Sequence, residues 1–188
     1  MLRVFPHADK IFGGFMQDQK AAVPPGVAKG GALLALVGAA TAAIVAPFVS
    51  TWESGGKPPL RAYRDMVGVW TICDGDTKNV VPGMTETAAG CAVRLDQRLA
   101  DHVGPVLACA PVLAGHPYQL SAAISLAYNV GTGAFCRSTI ARLFKARQWR
   151  AACDGFPAWS YAGGRQVQGL LNRRRAERAL CLKELPPA

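Results

Sequence analysis

Residues 53–73 read ESGGKPPLRAYRDMVGVWTIC, and the fold class is inferred from the contrast between this segment and the sequence after it. Two short runs within it, residues 60–65 and 67–73, have the composition of β-strands, and Gly68 marks a turn. Helical patterns dominate from Thr85 onward, and the Thr85 side chain is expected to cap the first of these helices. The sequence therefore predicts an α+β protein, with a small β-rich lobe followed by a mainly helical lobe.

Apolar spacing predicts four further helices, at residues 120–128, 138–144, 151–156 and 169–182. The first of these is expected to end near Gly131, and Gly163-Gly164 is expected to form a turn. On the last helix, Arg173 and Arg174 are expected to lie on a solvated face. Contact with carboxylates of a wall polymer is the less favoured alternative for these two side chains.

Residues 30–49 form an apolar segment of 20 residues without a charge, which is long enough to cross a bilayer. Lys20 and Lys29 precede it and favour a cytoplasmic N-terminus. Its eight strongly apolar residues contribute only roughly −2.4 to −4.8 kcal/mol to insertion, so insertion is expected to be marginal. The segment is interpreted as an anchor that later leaves the membrane. A signal peptide cleaved near Ala40-Thr41-Ala42 and a permanent anchor are the alternatives.

The formal net charge of +9 predicts an anionic partner, such as nucleic acid, anionic lipid or a wall polymer. Nucleic acid is disfavoured because no separate basic tract is present. Six cysteines without a CxxC pair, and three scattered histidines, argue against a metal site. An even cysteine count behind an export-like segment favours disulfides in an oxidising compartment such as the periplasm. Fifteen pairings are open at this point.

Glu53, Asp65 and Thr71 together have the chemistry of a glycosidase. Cleavage of a glycosidic bond needs an acid that protonates the leaving oxygen and a second group that orients water or attacks carbon. Glu53 is the candidate acid, Asp65 the candidate carboxylate, and Thr71 a hydroxyl that helps to hold water. Taken singly, each residue also fits an ordinary surface, turn or strand position.

Several separate motifs occur in order along the chain. They are Glu53, Tyr63-Arg64-Asp65, Gly68-Val69-Trp70-Thr71-Ile72-Cys73, Ala127-Tyr128-Asn129-Val130-Gly131-Thr132-Gly133, Trp159-Ser160-Tyr161-Ala162-Gly163-Gly164 and Gly169-Leu170-Leu171-Asn172-Arg173-Arg174. Together they resemble the phage-type lysozymes of glycoside hydrolase family 24, and the resemblance runs from about Trp52 to Leu182. With the weak apolar segment in front, the chain is most similar to the signal-anchor-release endolysins of lambdoid-type phages.

The resemblance implies a muramidase that cuts the β-1,4 bond between N-acetylmuramic acid and N-acetylglucosamine and needs no cofactor. It implies an inverting route with Glu53 as acid and Asp65 and Thr71 as its partners. It also suggests disulfides Cys73–Cys91, Cys153–Cys181 and Cys109–Cys136. The substrate-binding candidates are Tyr63, Tyr128 and Asn129, although packing at a helix end explains the last two equally well.

Two departures from the family pattern bear on these roles. Eleven residues separate Glu53 from Asp65, which is more than the family usually has, and the gap is interpreted as a longer loop beside the cleft. Asp74 and Asp76 stand near positions where many relatives have histidine, so no role of those histidines carries over. Asp74 is an alternative to Asp65 as the second carboxylate.

The predicted organisation is a cytoplasmic, unstructured extension at residues 1–29, a signal-anchor-release segment at 30–50 and a lysozyme domain at 51–188. Met16 is a candidate internal start. The expected partners are peptidoglycan and, before release, the bacterial inner membrane; the protein is expected at the periplasmic face of that membrane, then free in the periplasm as a monomer. The alternative functions are an inert, membrane-tethered wall-binding protein and a lytic transglycosylase.

Overall fold

The computed structural model describes residues 31–187. The predictions made for residues 1–29, including a start at Met16, lie outside the described residues. Within them, a long apolar helix packs on a helical lobe, and two small antiparallel hairpins lie at its edges. The predicted α+β class is confirmed, with most of the structure helical.

The apolar segment forms helix α1, Ala32–Ser54, which by length and composition alone could cross a membrane. Its first two backbone N–H groups, at Ala32 and Leu33, donate to one carboxylate oxygen of Asp96, at 3.0 and 3.4 Å. Gly38 interrupts the helix with φ 76° and ψ 169°, a conformation essentially restricted to glycine. The helix then continues through Pro47 and ends at Gly55, so Glu53 belongs to the same helix as the apolar segment.

One side of α1 is buried against the helical lobe, and the other is open. The buried positions are Ala32, Leu33, Thr41, Val45 and Val49. Leu34 and Leu36, on the opposite side, are about half exposed. In this structure the apolar helix is thus a packed element of a folded protein, with part of its apolar surface left uncovered.

The first hairpin pairs β1, Tyr63–Arg64, with β2, Trp70–Thr71, in antiparallel register, Tyr63 opposite Thr71. Gly68 lies in the connection with φ 81°, as its predicted turn position requires. Both strands are shorter than the predicted runs. The chain then closes a tight loop, because Ile72 and Asp76 exchange two backbone hydrogen bonds of 2.9 Å.

Helix α2, Ala88–Cys109, begins two residues later than its predicted cap implied. Thr87 is the N-cap, and its hydroxyl accepts from the Gly90 N–H at 2.9 Å. The assignment of Thr85 as the cap is therefore wrong. Thr85 instead pairs with Arg61 in an isolated antiparallel bridge, which holds its backbone in an extended conformation outside the helix.

The helical lobe is built around α3, Pro117–Val130, which is buried along most of its length and ends at Gly131. The remaining elements are α4 Thr132–Cys136, α5 Thr139–Lys145, α6 Trp149–Asp154 and α7 Gln168–Cys181, with short 3₁₀ turns at Pro111–Leu113 and Phe156–Trp159. The second hairpin pairs β3, Tyr161–Ala162, with β4, Arg165–Gln166, and turns at Gly163-Gly164.

Three disulfides connect these elements, and they join the pairs that the family resemblance suggested. Cys73–Cys91 ties the loop after β2 to α2. Cys109–Cys136 joins the end of α2 to α4, and Cys153–Cys181 joins α6 to α7. The first disulfide fixes the β-hairpin region to the helical lobe, next to the residues described below.

Candidate active site

Glu53 lies at the next-to-last position of α1, and its side chain is only 4% exposed. Its Oε1 accepts a hydrogen bond of 2.6 Å from Nη1 of Arg173 on α7, 120 residues along the chain. A charge-assisted bond of this length is strong and directional. Arg173 therefore fixes where the Glu53 carboxyl group lies in this structure.

The Glu53–Arg173 pair is one end of a buried network. Glu177 Oε1 accepts hydrogen bonds from both neighbouring guanidinium groups, from Arg173 Nε at 3.1 Å and from Arg174 Nη2 at 3.0 Å. The Ser125 hydroxyl also donates to that oxygen, at 2.7 Å. Two arginines and two glutamates balance in formal charge, which is the condition under which buried ions are tolerated.

This burial overturns the expected solvated face of the last helix. Arg173 and Arg174 are completely buried, whereas Arg175 beside them is exposed. The periodicity of α7 alone predicts charged residues outside. The prediction is wrong because the charges are neutralised within the fold by Glu177 on the same helix and by Glu53 on α1.

The pKa values of the two buried arginines shift in opposite directions. Burial would lower the pKa of Arg173, but the Glu53 and Glu177 carboxylates outweigh it, and the pKa is raised. Arg174 has less compensation, and burial lowers its pKa to about 10. Both guanidinium groups are therefore charged at neutral pH, and Glu53 always faces a cation.

Asp65 and Thr71 lie on the first hairpin, and both side chains bind the backbone of the same residue, Val69. Asp65 Oδ1 accepts from the N–H groups of Val67 at 3.0 Å and Val69 at 2.8 Å. The Thr71 hydroxyl donates to the Val69 carbonyl oxygen at 3.1 Å. Turn geometry thus brings these two predicted site residues together and orients both side chains.

The hairpin and the end of α1 meet at Asp74. Its Oδ1 accepts from the hydroxyls of Ser50 at 2.9 Å and Ser54 at 2.6 Å, which flank Glu53 on α1. Its carbonyl oxygen accepts from the Tyr128 hydroxyl at 3.0 Å. Asp74 lies three residues after Thr71, so the elements that carry Glu53, Asp65 and Thr71 are adjacent.

The candidate substrate-binding residues differ in exposure. Tyr63 is 38% exposed on β1, opposite Thr71. Tyr128 and Asn129 are buried, and the Asn129 side-chain oxygen accepts from Arg174 at 3.1 Å. Burial raises the pKa of Tyr128 above its usual range, and the nearby Glu53 carboxylate adds to this, so its hydroxyl remains a donor. The substrate roles of these three residues stay predictions.

The arrangement has the parts for acid-assisted cleavage of a glycosidic bond. It combines a carboxyl group held by a cation, a carboxylate on a hairpin and an oriented hydroxyl. Across residues 31–187, no group of three or more His, Cys, Asp or Glu residues is placed to hold a metal ion. Sequence reasoning missed Arg173 as the partner of Glu53, and also the pair Ser50 and Ser54. These serines lie four residues apart, with Glu53 between them in the sequence. This spacing places both serines on one helix face, and the sequence therefore contained a signal for the pair.

Comparison with known proteins places these features in a family. Residues 55–177 match the family described as Phage lysozyme, a range that begins two residues after Glu53. The SAR-endolysin of Enterobacteria phage P21 is 36% identical over 170 residues, covering 85% of this chain and 98% of that protein.

Two solved structures share the fold. A variant of P22 lysozyme is 33% identical, with a TM-score of 0.63, over 72% of this chain and 94% of that chain. The active form of the P1 phage endolysin Lyz is 21% identical, with a TM-score of 0.68, over 85% and 96% of the two chains. The overall fold described above therefore has solved counterparts.

Proposed function

The chain belongs to the phage lysozyme family and is a muramidase of the endolysin type, and we propose that Glu53, Asp65 and Thr71 carry out its reaction. The single observation that supports this assignment most is the buried Glu53–Arg173 pair, which holds a carboxyl group of the apolar helix in place within the lysozyme fold. The proposed reaction is hydrolysis of the β-1,4 bond between N-acetylmuramic acid and N-acetylglucosamine in peptidoglycan.

In the proposed mechanism, protonated Glu53 gives its proton to the glycosidic oxygen as the bond from that oxygen to the sugar C1 breaks. Glu53 then carries a full negative charge beside the Arg173 guanidinium. This cation stabilises the charge that develops during the transfer, and it is already in position before the reaction. Arg173 therefore favours the product side of the proton transfer.

On the opposite face of the sugar, a water molecule attacks C1 and gives a proton to Asp65. The Thr71 hydroxyl donates to the Val69 carbonyl, so its oxygen can accept a hydrogen bond from that water. Attack from the opposite face inverts the configuration at C1. An inverting route is thus the proposal for this site.

We further propose that the protein is exported with α1 in the bacterial inner membrane and is then released into the periplasm as a monomeric enzyme. The length and apolar character of α1 support an anchor, and its buried face supports a docked state. Because Glu53 lies on this helix, the paired position beside Arg173 requires α1 to have left the bilayer. Release and assembly of the active site are then one event.

Product analysis tests the proposal. The full chain is incubated with purified peptidoglycan, new reducing ends are counted, and the sugar at each end is identified. The proposal predicts N-acetylmuramic acid at the new ends, first released as the anomer of inverted configuration. Anhydro sugars would indicate transglycosylation, and wall binding without new ends would indicate an inert binding protein; either result contradicts the proposal.

A further inference from the structure

The loop after the first hairpin is held in place by backbone hydrogen bonds, a disulfide and ion pairs. Residues 72–76 are closed by the two backbone hydrogen bonds between Ile72 and Asp76. Cys73 within the loop is bonded to Cys91 of α2. Asp76 forms ion pairs with Arg94 at 2.7 Å and Arg98 at 3.6 Å, both also on α2. Asp74 is thus presented on a short loop attached to the helical lobe.

Only one carboxylate oxygen of Asp74 binds the two serines of α1. Ser50 and Ser54 lie one helical turn apart, and Glu53 stands between them. The Asp74 side chain is buried, at 4% exposure for the residue, so these hydroxyl donors replace water around its charge. Two bonds from successive turns fix both the rotation and the axial position of the helix end.

Helix rotation matters because it sets the direction of the Glu53 side chain. Arg173 can hold the Glu53 carboxyl group, but it does not fix the backbone that carries it. Rotation of one residue position corresponds to about 100° around an α-helix. Misplacement of a catalytic group by about 1 Å can reduce a rate by roughly 10²-fold.

We propose that Asp74 is a positioning residue for the muramidase reaction: it holds the end of α1 through Ser50 and Ser54 and thereby sets the position of Glu53. Asp74 takes no proton from substrate or water in this role. The inference rests on the proposed function, because it presupposes that Glu53 is the acid. It replaces the alternative in which Asp74 serves as the second carboxylate.

The test compares variants of the full chain on purified peptidoglycan, with kcat and KM obtained from reducing-end release. Asp74→Ala is expected to lower kcat about 10- to 100-fold with little change in KM. Asp74→Asn keeps an oxygen that accepts both hydroxyls and is expected to retain kcat within about threefold. If Asp74 were instead the second catalytic carboxylate, Asp74→Asn would be inactive. An inactive Asp74→Asn therefore overturns the proposal.

Ser50→Ala combined with Ser54→Ala leaves the loop and its disulfide intact and covers the case in which Asp74→Ala fails to fold. The serine double variant is expected to lower kcat as much as Asp74→Ala does. Combining Asp74→Ala with the serine double variant should lower kcat no further than either change alone. Thr51→Ala is the matched control, because among residues 31–187 the Thr51 hydroxyl bonds only within α1, to the Pro47 carbonyl at 2.8 Å. Wild-type kcat in the serine double variant would overturn the proposal.

Glu53→Gln in the same assay distinguishes a failure of the acid assignment from a failure of the positioning role. If Glu53→Gln retains activity, the assignment of the acid fails, and the positioning role fails with it. If Glu53→Gln is inactive while Asp74→Ala and the serine double variant keep wild-type kcat, only the positioning role is overturned.

Discussion

Arg173 Nη1 donates to Glu53 Oε1 at 2.6 Å, and this contact joins the last helix of the lobe to the apolar N-terminal helix. Both side chains are almost completely buried, at 0% and 4% exposure. The pair is therefore formed only when α1 has docked. It links the state of the apolar helix to the state of the proposed active site.

Loss of Arg173 should destabilise the fold strongly. Arg173→Leu leaves Glu53 and Glu177 buried without their shared cation, and breaking a buried pair in this way costs about 3–5 kcal/mol. Arg175→Leu, at the exposed neighbour, should change the free energy of unfolding by less than about 0.5 kcal/mol. Equilibrium unfolding in urea measures both values. Equal small effects would mean that the buried network carries little stability.

Asp65→Asn should separate chemistry from hairpin structure. An asparagine oxygen can still accept the Val67 and Val69 N–H groups, so the turn should persist and the melting temperature should hold. Activity should fall by about 10²-fold or more, because the amide cannot take a proton from water. Asp154→Asn, at an exposed surface ion pair, is the control for both readouts. Full activity in Asp65→Asn would remove Asp65 from the mechanism.

Thr71→Val replaces the hydroxyl by a methyl group of similar size. It should lower the rate, because the proposed water loses one of its partners, while Thr71→Ser should restore most of it. Reducing-end release on purified wall measures the rates of both variants. If Thr71→Val and Thr71→Ser match the wild type, the hydroxyl serves only the bond to Val69.

Ionisation of Tyr128 should lower the free energy of unfolding at alkaline pH. Burial raises its pKa in the folded protein, whereas an unfolded tyrosine ionises near pH 10. Its contribution is therefore complete below pH 10 and is lost as the pH rises above it, by about 1 kcal/mol between pH 10 and 11. Tyr128→Phe lacks this term, so its unfolding free energy should fall less steeply over that interval. Parallel slopes for the two proteins would contradict the assignment.

Asp96 should stabilise α1 in its position against the helical lobe relative to its position in the membrane. Asp96→Ala removes the acceptor for the first N–H groups of α1, an interaction of the kind that contributes about 1 kcal/mol at a helix N-terminus. A larger fraction of the full chain should then remain with the membrane after export, and lysis should be delayed. Asp101→Ala, on the same helix but at an exposed ion pair with Arg98, is the control. Equal membrane fractions would show that Asp96 does not influence release.

Local features of the sequence predicted local features of the structure. The hairpin followed from β-forming residues around Gly68, and the end of α3 followed from Gly131, because each signal acts within a few residues. Thr85 failed as a helix cap because a partner 24 positions earlier, Arg61, pairs with its backbone. The sequence around Thr85 contains nothing that distinguishes it from Thr87.

The contacts that build the site join distant parts of the chain. Arg173 meets a glutamate 120 positions away, and Asp74 meets serines 24 and 20 positions away. Helical periodicity alone predicts that a charged arginine lies on the exposed face. The local pattern contains no information about a distant carboxylate that neutralises the charge. The candidate residues were therefore accessible from motifs, whereas the network that holds them required the tertiary structure.

The activity of Glu53→Gln on purified peptidoglycan tests whether Glu53 is the proton donor. Glutamine keeps the size of the side chain and an oxygen that can accept from Arg173, but it has no proton to donate to the leaving oxygen. The expected result is a loss of about 10²- to 10⁴-fold in reducing-end release, with the activity of Glu184→Gln, at an exposed position, unchanged. Release at the wild-type rate by folded Glu53→Gln protein would contradict it.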